Sequence, residues 1–356
     1  MTRPHRASAV LLLLILALFI TFSKTAYQSY FSDDDFSNLA VARFVPWLAL
    51  PKAIFSLAYV ANVRPLGLLY YKLLGATAHY HFGAYLAVLQ ALHLATSLLL
   101  WLFLRRLGLG ALAAALGCLF FALNVATLSA YWKPMYIFDV LCGFWVILSL
   151  LFYQRSKFLL SLLCAWLAFR SKEMELMLPL VLLAYEWWFG QKRDGRWKPL
   201  IPFFLMSLSF GIQSLMQSTG PETAYSMHLT PASLWAGLAY YGGKLLYAPL
   251  SGLTISMGLL FLRLRVVSFG VIGFWILLFP MLLFPGRQSG AYLYVPLLAF
   301  AIAIAGVAEW KAMWAALLLL IWLPASYEEL RLERNPILAF GHEHRPYQPV
   351  VLVETM

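Results

Sequence analysis

Residues 9–36 read AVLLLLILALFITFSKTAYQSYFSDDDF, and this stretch decides the fold. It opens on an uncharged apolar run of the kind that crosses a bilayer as a helix. A short polar exit follows, and then Asp33, Asp34, Asp35 and Phe36. Three adjacent carboxylates repel one another and are costly to desolvate beside lipid. No comparable acidic run occurs among the later apolar segments. The loop after the first apolar helix is therefore the candidate active-site loop.

The rest of the chain repeats the apolar theme. Of 356 residues, 62% are hydrophobic and only 12% charged, and mean hydropathy is +0.78. That composition excludes an ordinary soluble domain and implies one integrated, all-α, polytopic membrane domain. A net charge of +11 would suggest nucleic acid in a soluble protein. In a membrane protein, basic loops set topology and meet lipid phosphates, so no nucleic-acid partner is expected. Cys118, Cys142 and Cys164 fall inside apolar runs and read as packing residues, with neither zinc spacing nor a disulfide framework. Arg3 and Arg6 before the first run resemble a signal peptide. The following Ser23-Lys24-Thr25-Ala26 has no small-x-small cleavage pattern, so a retained first span is expected.

Hydropathy predicts about eleven spans, at residues 9–22, 82–104, 112–130, 135–153, 158–169, 174–189, 200–215, 240–262, 266–284, 292–308 and 313–324. The segment 158–169 is short enough to be re-entrant. Arg3 and Arg6, Arg105-Arg106, Arg155 with Lys157, Lys192 to Lys198, Arg263 with Arg265, and Lys311 fall on alternate turns. These nearly pure basic turns mark the cytoplasmic face of a plasma membrane. The outer face then receives residues 24–81, a second large loop at 218–239, and a polar tail at 326–356, with residues 1–325 forming the membrane domain. In the first outer loop, Leu66, Leu69, Tyr70, Leu73 and Leu74 recur at helical spacing. Such helices can lie in the membrane interface.

Several residues on that outer face can do chemistry. One Asp at a helix start needs only a capping role. Three exceed it, so Asp34 or Asp33 is a candidate general base on an acceptor hydroxyl. The same carboxylates, Asp33, Asp34 and Asp35, could instead hold a divalent cation such as Mg or Mn against a phosphate. Arg64, before the helix-opening Pro65, either snorkels to headgroups or grips a phosphate with its planar fork. Lys72 lies two turns further on. Arg170-Ser171-Lys172-Glu173-Met174-Glu175 is dense in charge for a turn between apolar helices. There Lys172 can neutralise a leaving phosphate and Glu173 can orient it. Lys133, between Trp132 and Pro134, sits at an aromatic-belt position. Asp139, inside the next helix, is expected to pair with Lys133 or Lys172. His93 reads as a hydrogen-bonded packing residue. Arg287, in Gly286-Arg287-Gln288-Ser289-Gly290, faces outward as a phosphate-binding residue would. No Gly-rich phosphate loop, His-Glu-x-x-His or Gly-x-Ser-x-Gly pattern is present, which leaves nucleotide hydrolysis and zinc proteolysis without support.

Taken together, these elements resemble the GT-C class of membrane glycosyltransferases. Asp34-Asp35-Phe36 matches the acidic element of the first outer loop in that class. Arg64-Pro65-Leu66, the run from Tyr85 to His93, and Leu104-Arg105-Arg106-Leu107-Gly108 resemble its protein O-mannosyltransferase-like branch, which includes the tetratricopeptide-containing mannosyltransferases. So do Ser171-Lys172-Glu173 with Leu178-Pro179-Leu180, and Tyr292-Leu293-Tyr294-Val295-Pro296. The resemblance spans roughly residues 25–300. It implies a sugar donor on a polyprenyl phosphate, a protein, lipid or glycan acceptor, an outer-loop Asp as base, and inversion at the anomeric carbon. Three departures stand out. Ala291 occupies a position where the family carries Arg, with Arg287 one helical turn earlier. Tyr131-Trp132-Lys133-Pro134 replaces a small polar turn. No tetratricopeptide repeat is present, so the acceptor preference of repeat-bearing relatives does not carry over. The alternatives are a lipid or sugar-lipid flippase and an inactive scaffold of envelope assembly.

Overall fold

The computed structural model describes residues 3–32, 34–58, 63–190, 195, 197–217, 228, 230–247 and 250–344. The chain is helical throughout, with no strand among the described residues. Helix α1 (Arg3–Ser23) continues through a 3-10 turn and forms the first of six apolar stretches long enough to cross a membrane. The loop 24–81 then folds as three short helices, α2 (Asp34–Phe44), α3 (Ala49–Phe55) and α4 (Pro65–Thr77). At 11, 7 and 13 residues they fall short of the roughly 17–25 needed to span.

The next segment is α5 (Phe82–Arg106), a full span. The expected span 112–130 is instead broken into α6 (Ala111–Ala122) and α7 (Leu128–Trp132), bent by 41°. Asn124 organises the break. Its side-chain oxygen accepts from Ala126 N–H at 3.1 Å, and its carbonyl accepts from the Thr127 and Tyr131 hydroxyls. These bonds satisfy polar groups at the bend inside the protein, where lipid offers no partner. Helix α8 (Ile137–Gln154) belongs to a further span. Both α9 (Phe158–Phe169) and α10 (Leu178–Phe189) have only 12 residues. Helix α11 (Ile201–Gln217) belongs to another full-length apolar stretch.

Two expectations are corrected here. The span 240–262 is not one helix: α12 (Pro231–Leu246) and α13 (Ser251–Phe261) meet at Tyr247 and Leu250, both at φ +57°. That left-handed geometry cannot continue a helix of L-residues. The loop 218–239 is also shorter than expected, because α12 begins at Pro231. Thr230 caps it by accepting from Ser233 N–H at 3.2 Å, and proline suits the first helical turn. Residues 218–227 and 229 lie outside the described residues.

Helices α14 (Arg265–Leu282) and α15 (Tyr294–Trp310) complete the core. Among the described residues six stretches, or seven with the bent pair counted as one, are long and apolar enough to cross a membrane, against the eleven expected. α15 is the axis of the bundle, with every residue from Tyr294 to Ala308 buried. Small residues allow this. A Cβ on Gly270 would lie 2.4 Å from Ala303 N, and one on Gly117 2.7 Å from Ala301 O. Both neighbouring helices therefore touch the α15 backbone, the close approach that membrane bundles use. Finally, α16 (Ala312–His344) runs for 33 residues. The polar segment from Ser326 to His344 continues this helix instead of forming a separate appendage. At 1.5 Å per residue it reaches roughly 50 Å, well beyond a hydrocarbon core of about 30 Å.

Candidate active site

The acidic cluster does not act as one unit. Asp34 opens α2 and is exposed, whereas Asp35 is fully buried. One Asp35 oxygen accepts from Ser32 N–H at 3.0 Å, the other from the Tyr71 hydroxyl at 2.6 Å. The first contact ties the start of α2 to the backbone just before it. Burial, with Asp35 adding, holds the Tyr71 phenol well above its ordinary value, so it stays a donor. Asp35 is thus committed to two contacts within the fold. With its oxygens so committed, Asp34 and Asp35 do not fit a shared cation site. Among the described residues no three His, Cys, Asp or Glu side chains converge as a metal site would require. Asp33 lies outside the described residues.

A second cluster forms where the sequence left the pieces far apart. Arg64 stands at the N-terminus of α4, just before the proline that opens the helix. Gly67 lets α4 settle on Phe138: a Cβ there would lie 2.1 Å from the ring. The Arg64 guanidinium packs over the same ring at 5.5 Å. It donates to Glu173, Nη2 to Oε2 at 2.9 Å and Nε to both carboxylate oxygens at 3.1 and 3.2 Å. Glu173 begins the 3-10 turn Glu173–Met177 between α9 and α10. Beside it, Lys172 is ion-paired with Asp139 in the first turn of α8, both buried. Of the two partners expected for Asp139, the fold brings Lys172.

Tyr292 ties in the third cation. The Lys172 ammonium lies 4.4 Å from its ring centre, and Arg287 Nε donates to its hydroxyl at 2.6 Å. The turn carrying Arg287 is wedged in place, because a Cβ on Gly290 would meet Ala126 O at 2.2 Å. Arg64, Lys172 and Arg287 thus gather around Asp139, Glu173 and Tyr292. Burial acts to raise the Glu173 carboxyl, yet Arg64, helped by Lys172, holds it below its ordinary value. Burial likewise acts to lower Arg64, but Glu173 and the more distant Asp139 raise it above its ordinary value. Both stay charged at neutral pH. Such a cluster can bind an anion and stabilise charge that develops on it.

Other expected residues lie elsewhere. Lys72 donates to the carbonyls of Ala42 at 2.9 Å and Arg43 at 3.3 Å, the last turn of α2. Its charge complements the negative end of that helix. Lys133 is half-buried at the C-terminus of α7, and its N–H donates to Ser129 O. Arg170 turns away from the cluster and is sandwiched between Trp166 and Phe210, 4.9 Å from each ring centre. His93 is the packing residue expected, bonded to the Tyr294 hydroxyl and to Ala122 O. Sequence reasoning gave no role to Tyr71, Phe138, Tyr292 or the fully buried Glu175, whose Oε1 accepts from Cys142 Sγ at 3.3 Å. For Tyr292 the signal was there, in the Tyr-x-Tyr element, though nothing in the sequence says it bridges two cations. Comparison with protein-family models, with curated proteins and with solved structures finds no match to this chain.

Proposed function

We propose that the protein is an integral membrane glycosyltransferase that moves a sugar from a polyprenyl-phosphate donor to an acceptor hydroxyl. The observation carrying this reading is the convergence of Arg64, Lys172 and Arg287 around Asp139, Glu173 and Tyr292. A phosphate leaving group develops negative charge as the glycosidic bond breaks. Three cations held by their own anionic and aromatic partners are preorganised to meet it. Asp34, exposed at the start of α2, is the remaining described carboxylate of the acidic loop and serves as the base. Direct attack by the activated hydroxyl inverts the anomeric centre. The proposal includes an outward-facing site in a plasma membrane, interfacial placement of α2 to α4, and short helices such as α9 and α13 adding to the membrane-embedded set. A divalent cation, if the reaction uses one, would be held at Asp34 without Asp35.

One observation favours a transporter instead. Glu175 is buried with Oε2 unpartnered, and its other oxygen meets Cys142 on α8, the helix that carries Asp139. Ionisable groups inside a membrane bundle commonly mark a transport path. The test is sugar transfer in membranes expressing wild type or Asp34→Asn, supplied with extracted polyprenyl-phosphate sugars. Transfer by wild type alone supports the enzyme and its base. Equal transfer by both removes Asp34 from the mechanism. Movement of labelled sugar-lipid across the bilayer without transfer establishes the transporter.

A further inference from the structure

A groove runs along the C-terminal half of α4, away from the Arg64 cluster. It consists of two adjoining clefts of about 380 and about 530 Å³ that share His79 and Tyr80. Arg43, Lys72, His79 and His81 line it, and none of its lining residues is acidic. Lys72 is held in place by the α2 carbonyls and by Trp47, whose ring centre is 5.0 Å from the ammonium. Trp47 itself remains 49% exposed, so its ring is not used up by packing. His79 adopts φ +52°, a left-handed conformation that a non-glycine residue holds at a cost and that clusters at binding sites.

We infer that this groove binds an anionic saccharide chain, one bearing carboxylate or phosphate groups. Aromatic rings beside an open cleft suit the apolar faces of sugar rings, while the basic side chains select negative charge. Two joined clefts form an elongated groove, which fits an extended chain better than a compact lipid headgroup. Position supports this assignment. Along α4, Arg64 stands at the start, Tyr71 with its bond to Asp35 lies about 10 Å further on, and Gly75 in the groove lies about 16 Å from Arg64. Arg64 of the cation cluster, the Tyr71 partner of Asp35 and the groove thus succeed one another along α4. The inference rests on the transferase reading in one respect only: that the bound chain is the acceptor.

The test uses the full chain in nanodiscs of neutral lipid, with tetragalacturonate as the anionic probe and maltotetraose as the neutral one. Saturable, salt-sensitive binding of tetragalacturonate is expected. Loss of one charge-assisted contact should weaken it at least about tenfold in Arg43→Glu. Ala76→Trp, at an exposed position on the groove wall, should block it sterically with an unchanged melting temperature. Lys311→Gln, outside the groove, should leave binding intact. Equal binding of both oligosaccharides, or no saturable binding of the uronate, overturns the site. Variant-sensitive binding to phosphatidylglycerol vesicles without uronate binding overturns it in favour of a headgroup patch. Variant-sensitive uronate binding in a protein that transfers no sugar upholds the groove and refutes the transferase. Transfer to a uronate acceptor that is indifferent to Ala76→Trp overturns the acceptor assignment.

Discussion

Asp34 and Asp35 are chemically identical neighbours with different expected behaviour. Asp34→Asn should abolish transfer and leave thermal stability unchanged. Asp35→Asn and Tyr71→Phe should instead lower stability, by about 1–3 kcal/mol, because each leaves a buried polar partner unsatisfied; melting curves in detergent distinguish the two classes. Lys172→Met leaves Asp139 buried and unpaired, at a cost of about 3–5 kcal/mol. Adding Asp139→Leu should restore most of that stability without restoring transfer, which separates the fold's need for the pair from the site's need for the cation. The Glu173 carboxyl is held below its ordinary 4.5. Its contribution is therefore fully present above that value and is lost as pH falls through the lower value in the folded protein. Relative to Glu173→Gln, wild type should lose stability as pH falls below about 4.5, because the variant lacks that component. A melting temperature of Glu173→Gln that tracks wild type through the acid range would remove the ion pair from the account.

Among the elements, α4 and α15 set the geometry. α4 seats Arg64 on Phe138 only because position 67 has no side chain. Gly67→Ala should displace the ring or the helix and raise the KM for donor more than it lowers protein yield. Around α15, Gly270→Val should reduce folded protein severely, because the added atoms meet backbone at Ala299 and Ala303 that cannot move aside. Gly258, with open space at its Cβ position, should tolerate alanine in the same expression assay. The helix start at Pro65 was legible in the sequence, since proline at the first turn is a local preference, whereas Pro231 was read as part of a loop. The breaks at Asn124 and at Tyr247 to Leu250 were not. Hydropathy sees an unbroken apolar run there, and only partners elsewhere in the fold make the bends tolerable.

For the molecule as a whole, the membrane remains the organising solvent. Single cysteines at Ser37, exposed on α2, and at Lys157, exposed between α8 and α9, should label from opposite sides of sealed vesicles. The native Cys118, Cys142 and Cys164 are buried and should stay silent. Labelling of both sites from one side would overturn the outward placement of the acidic loop.

The sequence by itself determined the features that composition and local pattern dictate: a helical chain with membrane-spanning character, short helices in the loop after the first span, and a packing role for His93. Each depends on residues within a few turns of one another or on bulk hydropathy. Tertiary structure alone decided which charges meet. Arg64 and Glu173 are 109 residues apart, and Lys172 and Asp139 are 33 apart. Nothing local distinguishes those pairings from Lys133 with Asp139 or from Lys72 with an incoming phosphate. Packing decided equally that Asp35 turns inward to Tyr71 while Asp34 faces out, because a helix start presents successive residues in different directions and only the neighbouring helix fixes which is buried.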